Sequence, residues 1–240
     1  MKGTKWTYHK TVKYQTKLLQ EERKMALYID VPFKEKDEAK ELGARWDAKN
    51  KKWCVENKKD YPKFQKWILP LDEDECMVLC DHFYIVEGVH TCFKCKKPTR
   101  VIGFGLENFY VFYKDGVYGD NPEPEYSSGE IHIASSLEPV NPAILGYLRE
   151  RYNYYYGYSK FTNSNYYGNH CNNCGVLQGN FHLFEEVDTP FCVDSIEAAK
   201  ALKLFRVKLP FDIKVSSEVG FGSEDYLIKE YADIIDFKMP

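Results

Sequence analysis

Hydrophobic and polar positions alternate over residues 27–31, a period of two that is typical of a strand. Helix-forming residues then fill positions 34–42. Residues 52–55 have the composition of a second strand, and large apolar residues recur at helical spacing over residues 61–68. The pattern therefore predicts a small β-α-β module over residues 25–70, with a short acidic linker after it.

From residue 76 onward the pattern becomes mainly that of strands. Runs of β-branched and aromatic residues predict strands at residues 83–86, 101–104, 109–113, 181–184, 205–209 and 213–215. Helical spacing and capping residues predict helices over residues 141–152, 194–202 and 226–235. We expect an α+β protein in which residues 76–240 form a mainly β domain with a few helices.

Charge is distributed unevenly along the 240 residues. Residues 1–70 contain 18 basic and 10 acidic side chains, a net charge of +8, whereas residues 71–240 have a net charge of −11. Part of the positive charge belongs to residues 1–24, which we interpret as a basic N-terminal extension. A basic head on an acidic body is typical of a surface that faces nucleic acid; the alternative is a lysine-rich surface that contacts only water.

The apolar segments are too short for a membrane protein. No run of about 18 apolar residues occurs, and residues 1–24 lack the apolar stretch of a secretory signal. Eight cysteines without such a signal indicate a reducing compartment, where paired cysteines bind metal more often than they form disulfides. We expect a soluble, cytoplasmic protein with no membrane partner.

Four of the cysteines form two Cys-x-x-Cys pairs, Cys92 with Cys95 and Cys171 with Cys174. Two thiolates at this spacing on a tight turn point at one ion, and two such knuckles complete the tetrahedron that structural zinc prefers. We predict that these four residues bind one structural Zn²⁺ ion in a zinc-ribbon-like body. The 75 residues between the pairs predict either an insertion or a ribbon built from distant strands. The alternative is two unrelated thiol pairs or a redox couple, although a redox pair normally opens a helix.

The other cysteines and the neighbouring histidines have less specific patterns. His90 and His170 flank the knuckles and are alternative ligands, although such histidines are more often supporting or surface groups. The expected buried free thiols are Cys54, Cys76, Cys80 and Cys192. A site with four thiolates has no open position for an activated water, which favours a structural role over metal catalysis.

A longer motif covers residues 26–55, ALYIDVPFKEKDEAKELGARWDAKNKKWCV. Its Val-Pro-Phe, Lys-Asp-Glu-Ala-Lys, Leu-Gly-Ala-Arg-Trp-Asp and Lys-Trp-Cys-Val segments resemble a small domain of unknown function that recurs in plasmid TraC-type primases and in phage or plasmid polyvalent proteins. That family more often has tyrosine where Cys54 stands. The cysteine-containing body resembles bacterial proteins of unknown function in which this module precedes a cysteine-knuckle region. The resemblance implies a role in mobile-element DNA or RNA metabolism and no known reaction.

The turn of this motif combines aromatic and basic residues. Indole rings stack on bases and lysines neutralise phosphates, so the turn predicts a nucleic-acid-binding site. The candidate residues are Arg45, Trp46, Lys49, Lys51, Lys52, Trp53, Lys58 and Lys59. The alternative is that both tryptophans fill the core, because a unit of about 45 residues needs large side chains to fold.

A tyrosine-rich segment, with seven tyrosines between Tyr152 and Tyr167, stands apart in composition. Such a segment is usually an ordered aromatic loop or a flexible surface, and stacking on bases is the less common alternative.

No enzyme motif is complete. The His-x-Glu of zinc deaminases is absent, as are the P-loop, the dinucleotide-binding fingerprint and the Gly-x-Ser-x-Gly elbow. A nuclease framed by two zinc knuckles is a minor alternative that would use His132 and His170.

Two functions of different classes follow. The first is a non-enzymatic, zinc-containing nucleic-acid-binding or adaptor protein of a mobile element, a phage or a bacterial defence system, with single-stranded DNA or RNA as its ligand. The alternative is a protein-interaction or immunity-type module that binds a basic protein partner through its acidic, tyrosine-rich body.

Overall fold

The computed structural model describes residues 26–70, 73–116, 119–120 and 122–238. The predicted basic extension over residues 1–24 lies outside these residues. The chain divides into two compact units at the bond between Trp67 and Ile68, and we describe each unit by itself. Within the described residues, no helix is both long enough and apolar enough to cross a membrane.

The N-terminal unit is a three-stranded antiparallel sheet with short helices. Its strands are β1 (Leu27–Ile29), β2 (Arg45–Asp47) and β3 (Lys52–Val55), and its helices are a 3-10 turn (Phe33–Glu35), α1 (Lys36–Glu41), a longer 3-10 helix (Lys58–Phe64) and α2 (Gln65–Ile68). Strand β3 is central and pairs with both β1 and β2. The rings of Tyr61 and Phe64 are completely buried, because a unit of this size depends on a few large side chains for its core.

The C-terminal unit contains the remaining strands and helices. The strands are β4 (Glu75–Leu79), β5 (His82–Thr91), β6 (Pro98–Leu106), β7 (Phe109–Tyr113), β8 (Glu125–Ser127), β9 (His132–Ala134), β10 (Tyr154–Ser159), β11 (Ser164–Asn169), β12 (Lys203–Lys208), β13 (Ile213–Val215) and β14 (Asp233–Asp236). The helices are α3 (Pro142–Tyr152), α4 (Phe181–Phe184), α5 (Ile196–Lys200) and α6 (Tyr226–Tyr231).

Two larger sheets and one hairpin organise these strands. The five-stranded sheet has the order β14-β12-β5-β6-β9, in which β14 is parallel to β12 and the other neighbours are antiparallel. The four-stranded sheet has the order β13-β4-β7-β8, and β10 pairs with β11 as a separate antiparallel hairpin. The long β5 and β6 form the centre of the unit, and the turn between them carries the first cysteine pair.

Helices α4, α5 and α6 contribute apolar side chains to one core with the five-stranded sheet. Leu183, Ala199 and Leu227 from the three helices belong to the same buried cluster as Val86 and Leu204 of the sheet. A glycine in β6 permits the close packing, since a Cβ atom at Gly103 would lie 3.0 Å from the ring of Phe184. This core holds the sheet, and with it the β5–β6 turn, in place.

The α+β class and the mainly β body are confirmed. The three strands predicted over residues 83–113 all form, and two of them, β5 and β6, extend well beyond the predicted bounds. Helix α3 begins after Asn141, whose side chain accepts a hydrogen bond from the N–H group of Ala143.

Three sequence-based predictions differ from the structure. The strand predicted at residues 181–184 is wrong, because the N–H groups of Leu183 and Phe184 donate to the carbonyl of Asn180 and close a helical turn. The C-terminal helix predicted to residue 235 ends at Tyr231, and the residues after it form β14 against β12. The tyrosine-rich segment forms neither a loop nor an irregular surface but the β10–β11 hairpin.

Candidate metal centre and basic turn

The four predicted ligands come together at one end of the C-terminal unit. Cys92 and Cys95 lie on the turn between β5 and β6, and Cys171 and Cys174 follow β11. The Sγ atoms of Cys92 and Cys174 are 3.7 Å apart, as are those of Cys95 and Cys171, and all four lie within 4.8 Å of one another. A tetrahedral zinc with Zn–S bonds of about 2.3 Å requires sulfur atoms about 3.8 Å apart. The donor set therefore fits a single thiolate-bound metal ion.

The two knuckles have the same backbone geometry. In the first, the N–H of Lys96 donates to the carbonyl of Cys92, and in the second the N–H of Gly175 donates to the carbonyl of Cys171, each at 2.9 Å. The fifth residue of each turn is in the left-handed region, with φ of 60° at Lys96 and 70° at Gly175. Two loops of different sequence thus adopt one conformation that turns both thiols toward a common point.

Hydrogen bonds to sulfur favour the thiolate form that binds metal. The backbone N–H of Asn173 donates to the Sγ of Cys171 at 3.3 Å, and the buried Gln178 amide lies 3.6 Å from the Sγ of Cys92. Burial raises the pKa of Cys171, but the backbone N–H groups of Asn173 and Cys174 outweigh it and lower this pKa, whereas burial and the neighbouring thiols raise the pKa of Cys174. The site thus supplies the donors that would spread the charge of a metal–thiolate centre.

The histidines and remaining cysteines lie outside this group. Within the described residues, the four cysteines form the one cluster of three or more histidine, cysteine or carboxylate side chains able to share an ion. The ring of His170 instead stacks on Tyr155 at 3.7 Å, and its Nδ1–H donates to the carbonyl of Gly168. Cys54, Cys76 and Cys80 are buried cysteines outside any disulfide, and Cys192 is half-buried.

Amide side chains tie the two knuckles to the adjacent strands. We use the name cysteine lobe for residues 88–106 and 141–178, which contain both knuckles, β6, α3 and the β10–β11 hairpin. The Asn169 side chain accepts from the N–H of Ile102 at 2.7 Å and donates to its carbonyl at 2.8 Å. Asn172 accepts hydrogen bonds from the Thr99 hydroxyl and from the backbone N–H of Arg100. The lobe is therefore held together by neutral hydrogen bonds across more than 65 residues of sequence.

The second predicted site is the turn between β2 and β3. The Asp47 carboxylate accepts hydrogen bonds from the Tyr28 hydroxyl, from the backbone N–H groups of Lys49 and Asn50, and from the Asn50 side chain. The Asn50 and Tyr28 side chains lower the pKa of Asp47 to about 2. Because its charge is directed into the turn, Asp47 fixes the loop that presents the lysines.

The two predicted tryptophans have different environments. Trp46 is 52% exposed, whereas Trp53 is only 9% exposed and lies in the core of the module. The Trp53 ring meets Trp46 edge-on, with ring centroids 5.5 Å apart. Trp53 is one of the predicted nucleic-acid-binding residues, but its burial favours the alternative that this ring belongs to the core, and Trp46 is the exposed ring of the pair.

The remaining candidates of the turn are charged surface groups. Lys49, Lys51 and Lys52 are exposed, and Lys51 has a left-handed backbone with φ of 53°. The guanidinium of Arg45 lies 3.6 Å from the carboxylate of Glu56. The other two candidates, Lys58 and Lys59, begin the 3-10 helix after β3.

The nuclease candidates have unrelated neighbours. Nδ1 of the buried His132 ring lies 2.6 Å from Asp225, and its Nε2 lies 3.3 Å from the Ser127 hydroxyl. His170 is occupied by Tyr155 and Gly168, as described above. The nuclease alternative stays a prediction.

The structure also contains a charged cluster that the sequence pattern did not indicate. Glu107 is buried and accepts hydrogen bonds from Tyr84, Lys229 and His82. Its members come from three distant segments, so no local motif reveals it.

Comparisons with known proteins place the N-terminal module. Residues 26–69 match the family model described as Domain of unknown function (DUF5710). Two curated relatives, both named DNA primase TraC from Escherichia coli, are 52% identical over 48 residues and 55% identical over 40 residues. These matches cover 20% and 17% of this chain but 3% and 4% of the relatives, so the chain spans a few per cent of their length. The resemblance predicted from the motif is thereby confirmed for the DUF5710 module, and no solved structure matches the chain.

Proposed function

We propose that this chain is a non-enzymatic zinc protein that binds single-stranded DNA through its DUF5710 module in a mobile-element, phage or bacterial-defence context. One observation carries the proposal: the exposed Trp46 ring stands beside a fixed turn that presents Lys49, Lys51 and Lys52. Aromatic stacking and phosphate neutralisation are the two interactions that sequence-tolerant single-strand binding requires. The similarity to proteins named DNA primase supports DNA as the ligand and a mobile element as the context.

Charge within the module supports the same surface. Residues 45–59 contain six basic and two acidic side chains. Both acids are engaged, since Asp47 organises the turn and Glu56 faces Arg45. The lysines therefore offer a positive field to an approaching phosphate backbone.

Zinc is the metal that best fits the cysteine site. Four thiolates at tetrahedral spacing are typical of structural zinc, and Cys92, Cys95, Cys171 and Cys174 would supply all of its ligands. Bound there, the ion would serve as a cross-link between β5–β6 and β11 rather than as a reaction centre.

The direct test is fluorescence anisotropy of the full chain with a labelled oligothymidine across a salt series. We expect the triple variant Lys49→Glu, Lys51→Glu, Lys52→Glu to lose at least tenfold in affinity. The slope of log K against log salt should fall by about 2, because each lost phosphate contact on a single strand removes about 0.7. Trp46→Ala should weaken binding without changing that slope, and Trp46→Phe should restore part of the loss.

A matched control has the same change in charge on the same module. Lys34→Glu, Lys36→Glu and Lys40→Glu alter the segment that contains α1, where two of the three lysines already face carboxylates of Glu35 and Asp37. This control should change the affinity less than threefold. Equal losses in the two triple variants would mean that net charge, and not the turn, governs binding, and the proposed site would be rejected.

The protein-partner alternative remains a prediction for the acidic body. It requires a partner that stays bound after nuclease treatment and that contacts carboxylates of that body.

A further inference from the structure

The cysteine lobe has the opposite charge to the body that contains it. Residues 71–240 have a net charge of −11, yet the lobe contains a single carboxylate side chain, that of Glu150. Its seven cations are Lys94, Lys96, Lys97, Arg100, Arg149, Arg151 and Lys160. The metal knuckles and the tyrosine hairpin therefore form a basic region on an acidic protein.

The surroundings of these cations differ from those of other basic residues in the unit. Within the part of the chain that the structure describes, none of the seven is among the ion pairs within 4.0 Å, whereas Lys114, Arg206 and Lys229 of the same unit each face an acid. The segments of the lobe are joined instead by amide side chains such as those of Asn169 and Asn172. The positive charge is left available to a polyanion.

Exposed aromatic rings lie among these cations. Tyr156 is 59% exposed, Phe161 at the turn of the hairpin is 96% exposed, and Phe93 on the first knuckle is 51% exposed. The Tyr156 ring meets that of Tyr167 edge-on, with ring centroids 5.2 Å apart. Rings interleaved with cations suit the bases and phosphates of an unpaired strand.

A groove runs between the hairpin and helix α3. It has a volume of about 280 Å³ and is lined by Leu145, Gly146, Arg149, Tyr154, Tyr155, Tyr156 and Tyr167. A Cβ atom at Gly146 would have no atom within 4 Å, so the helix side of the groove is open. The groove offers apolar ring faces with one guanidinium, the combination that holds a base and its phosphate.

One ring of the hairpin, that of Tyr155, packs against a buried side chain. Tyr155 stacks flat on the buried His170, with an interplanar angle of 9°. Gly157 allows this contact, because a Cβ atom there would lie 2.7 Å from Nε2 of His170. Since His170 directly precedes Cys171, this stack connects the hairpin to the second knuckle.

We propose that the cysteine lobe is a second binding surface for single-stranded DNA, with bases stacking on the hairpin tyrosines and phosphates contacting the surrounding lysines and arginines. This inference rests on the proposed function for the choice of ligand and names a site in the other unit of the chain. The metal would act indirectly, by holding the knuckle lysines and the hairpin in one surface.

The test uses the full zinc-loaded chain and isolates each site in turn. All four tryptophans, Trp6, Trp46, Trp53 and Trp67, belong to residues 1–67. Tryptophan quenching therefore reports the module, whereas anisotropy of a labelled oligothymidine reports binding anywhere. In the background of the Lys49, Lys51 and Lys52 triple variant, we expect residual salt-dependent binding without tryptophan quenching.

Two matched pairs of substitutions then locate that residual binding. Tyr156→Ala with Lys160→Glu, added to the triple variant, should reduce the residual affinity about tenfold or more. Tyr226→Ala with Lys238→Glu makes the same chemical changes outside the lobe and should alter it less than twofold. Tyr156→Phe keeps the ring, so adding it to the triple variant should leave the residual affinity unchanged, while equal zinc content in all variants excludes misfolding of the lobe.

The outcomes separate the two proposals. No residual binding in the triple variant would overturn the second surface and leave the module proposal standing. Unchanged binding in the triple variant, lost on changing Tyr156 and Lys160, would support the lobe and reject the module site. Absence of oligonucleotide binding by the parent chain at low salt would overturn both proposals. Binding of RNA that is tenfold tighter than binding of DNA would overturn the choice of DNA as the ligand. If the parent chain bound a purified protein but no oligonucleotide, and Tyr156→Ala abolished binding of that protein, the lobe would be a protein-recognition surface and the inference would be overturned.

Discussion

The basic turn of the DUF5710 module and the cysteine lobe offer similar chemistry by different construction. Both place exposed rings beside surface lysines. In the turn, a single carboxylate, that of Asp47, receives four hydrogen bonds and fixes a loop of a few residues. In the lobe, segments 75 residues apart are joined by four thiols and several amides. A local turn needs no metal, whereas an assembled surface would depend on the proposed metal cross-link.

The largest expected effect follows from removing that cross-link. Cys171→Ser should unfold the cysteine lobe, because a structural zinc site contributes on the order of 10 kcal/mol of binding free energy. The tyrosine signal in near-ultraviolet circular dichroism should collapse, while tryptophan emission from the module should stay native. Metal analysis should find one zinc per parent chain and less than one in the variant.

Cys192→Ser is the control for that experiment, since Cys192 is a half-buried free thiol outside the cluster. It should retain the zinc and the tyrosine signal. Simultaneous loss of the tyrosine and tryptophan signals in Cys171→Ser would contradict the claim that the turn is independent of the metal.

An intermediate effect on stability is expected at the buried Glu107 cluster, which lies outside the cysteine lobe and is held by hydrogen bonds to a charged carboxylate. Burial raises the pKa of Glu107, but hydrogen bonds from Lys229, Tyr84 and His82 outweigh it and bring this pKa to about 2. A depressed carboxyl pKa stabilises the fold above the unfolded value of 4.5, and this stabilisation is lost as the pH falls toward 2. Glu107→Gln should cost about 2 kcal/mol at pH 7, since Lys229 remains half-exposed.

Urea unfolding at pH 7 and at pH 3 measures this difference. The gap in stability between the parent and Glu107→Gln should shrink at the lower pH, because Glu107 is then protonated in the unfolded chain while it is still mostly ionised in the folded one. A gap of the same size at both pH values would show that the Glu107 carboxylate is not the charged group that stabilises this sheet.

The smallest effect separates the stability of the lobe from its binding. Lys96 and Gly175 occupy equivalent left-handed positions of the two knuckles. Lys96→Gly should stabilise the lobe by about 0.5 kcal/mol, and Gly175→Ala should destabilise it by about 1 kcal/mol, because a side chain is disfavoured there. Scanning calorimetry checks both signs.

The same substitution is informative about DNA. Lys96→Gly removes one of the seven cations, so affinity for oligothymidine should fall slightly while stability rises. A variant that is less stable and binds equally well would contradict both the equivalence of the two knuckles and the role of Lys96 in the surface.

The two sites also differ in how far the sequence predicted them. The Cys-x-x-Cys spacing identified Cys92, Cys95, Cys171 and Cys174, because a knuckle is a local turn with a fixed geometry. The motif around Trp46 likewise indicated the basic turn. The sequence could not show that Trp53 belongs to the core, because its burial depends on how β2 and β3 pair.

The cysteine lobe was harder to predict because its signals are non-local. Tyrosine, asparagine and glycine gave the β10–β11 hairpin no clear apolar alternation, so its strand character depended on pairing. Outside the lobe, the apolar run at residues 181–184 is too short for its period to separate a strand from a helix, and it forms a helical turn whose Phe184 ring lies against Gly103 of β6. One signal was nevertheless readable: residues 151–184 contain no acidic residue in an otherwise acidic body.

Photo-crosslinking tests most directly whether this chain carries two separate DNA-binding surfaces. The full zinc-loaded protein would be irradiated with oligothymidine that contains 4-thiothymidine, digested and analysed by mass spectrometry. We predict two groups of crosslinked peptides, one containing Trp46 and the other containing residues 154–161. Removing zinc should abolish the second group and preserve the first. Crosslinks at neither peptide, or crosslinks to residues 154–161 that persist without zinc, would contradict this account.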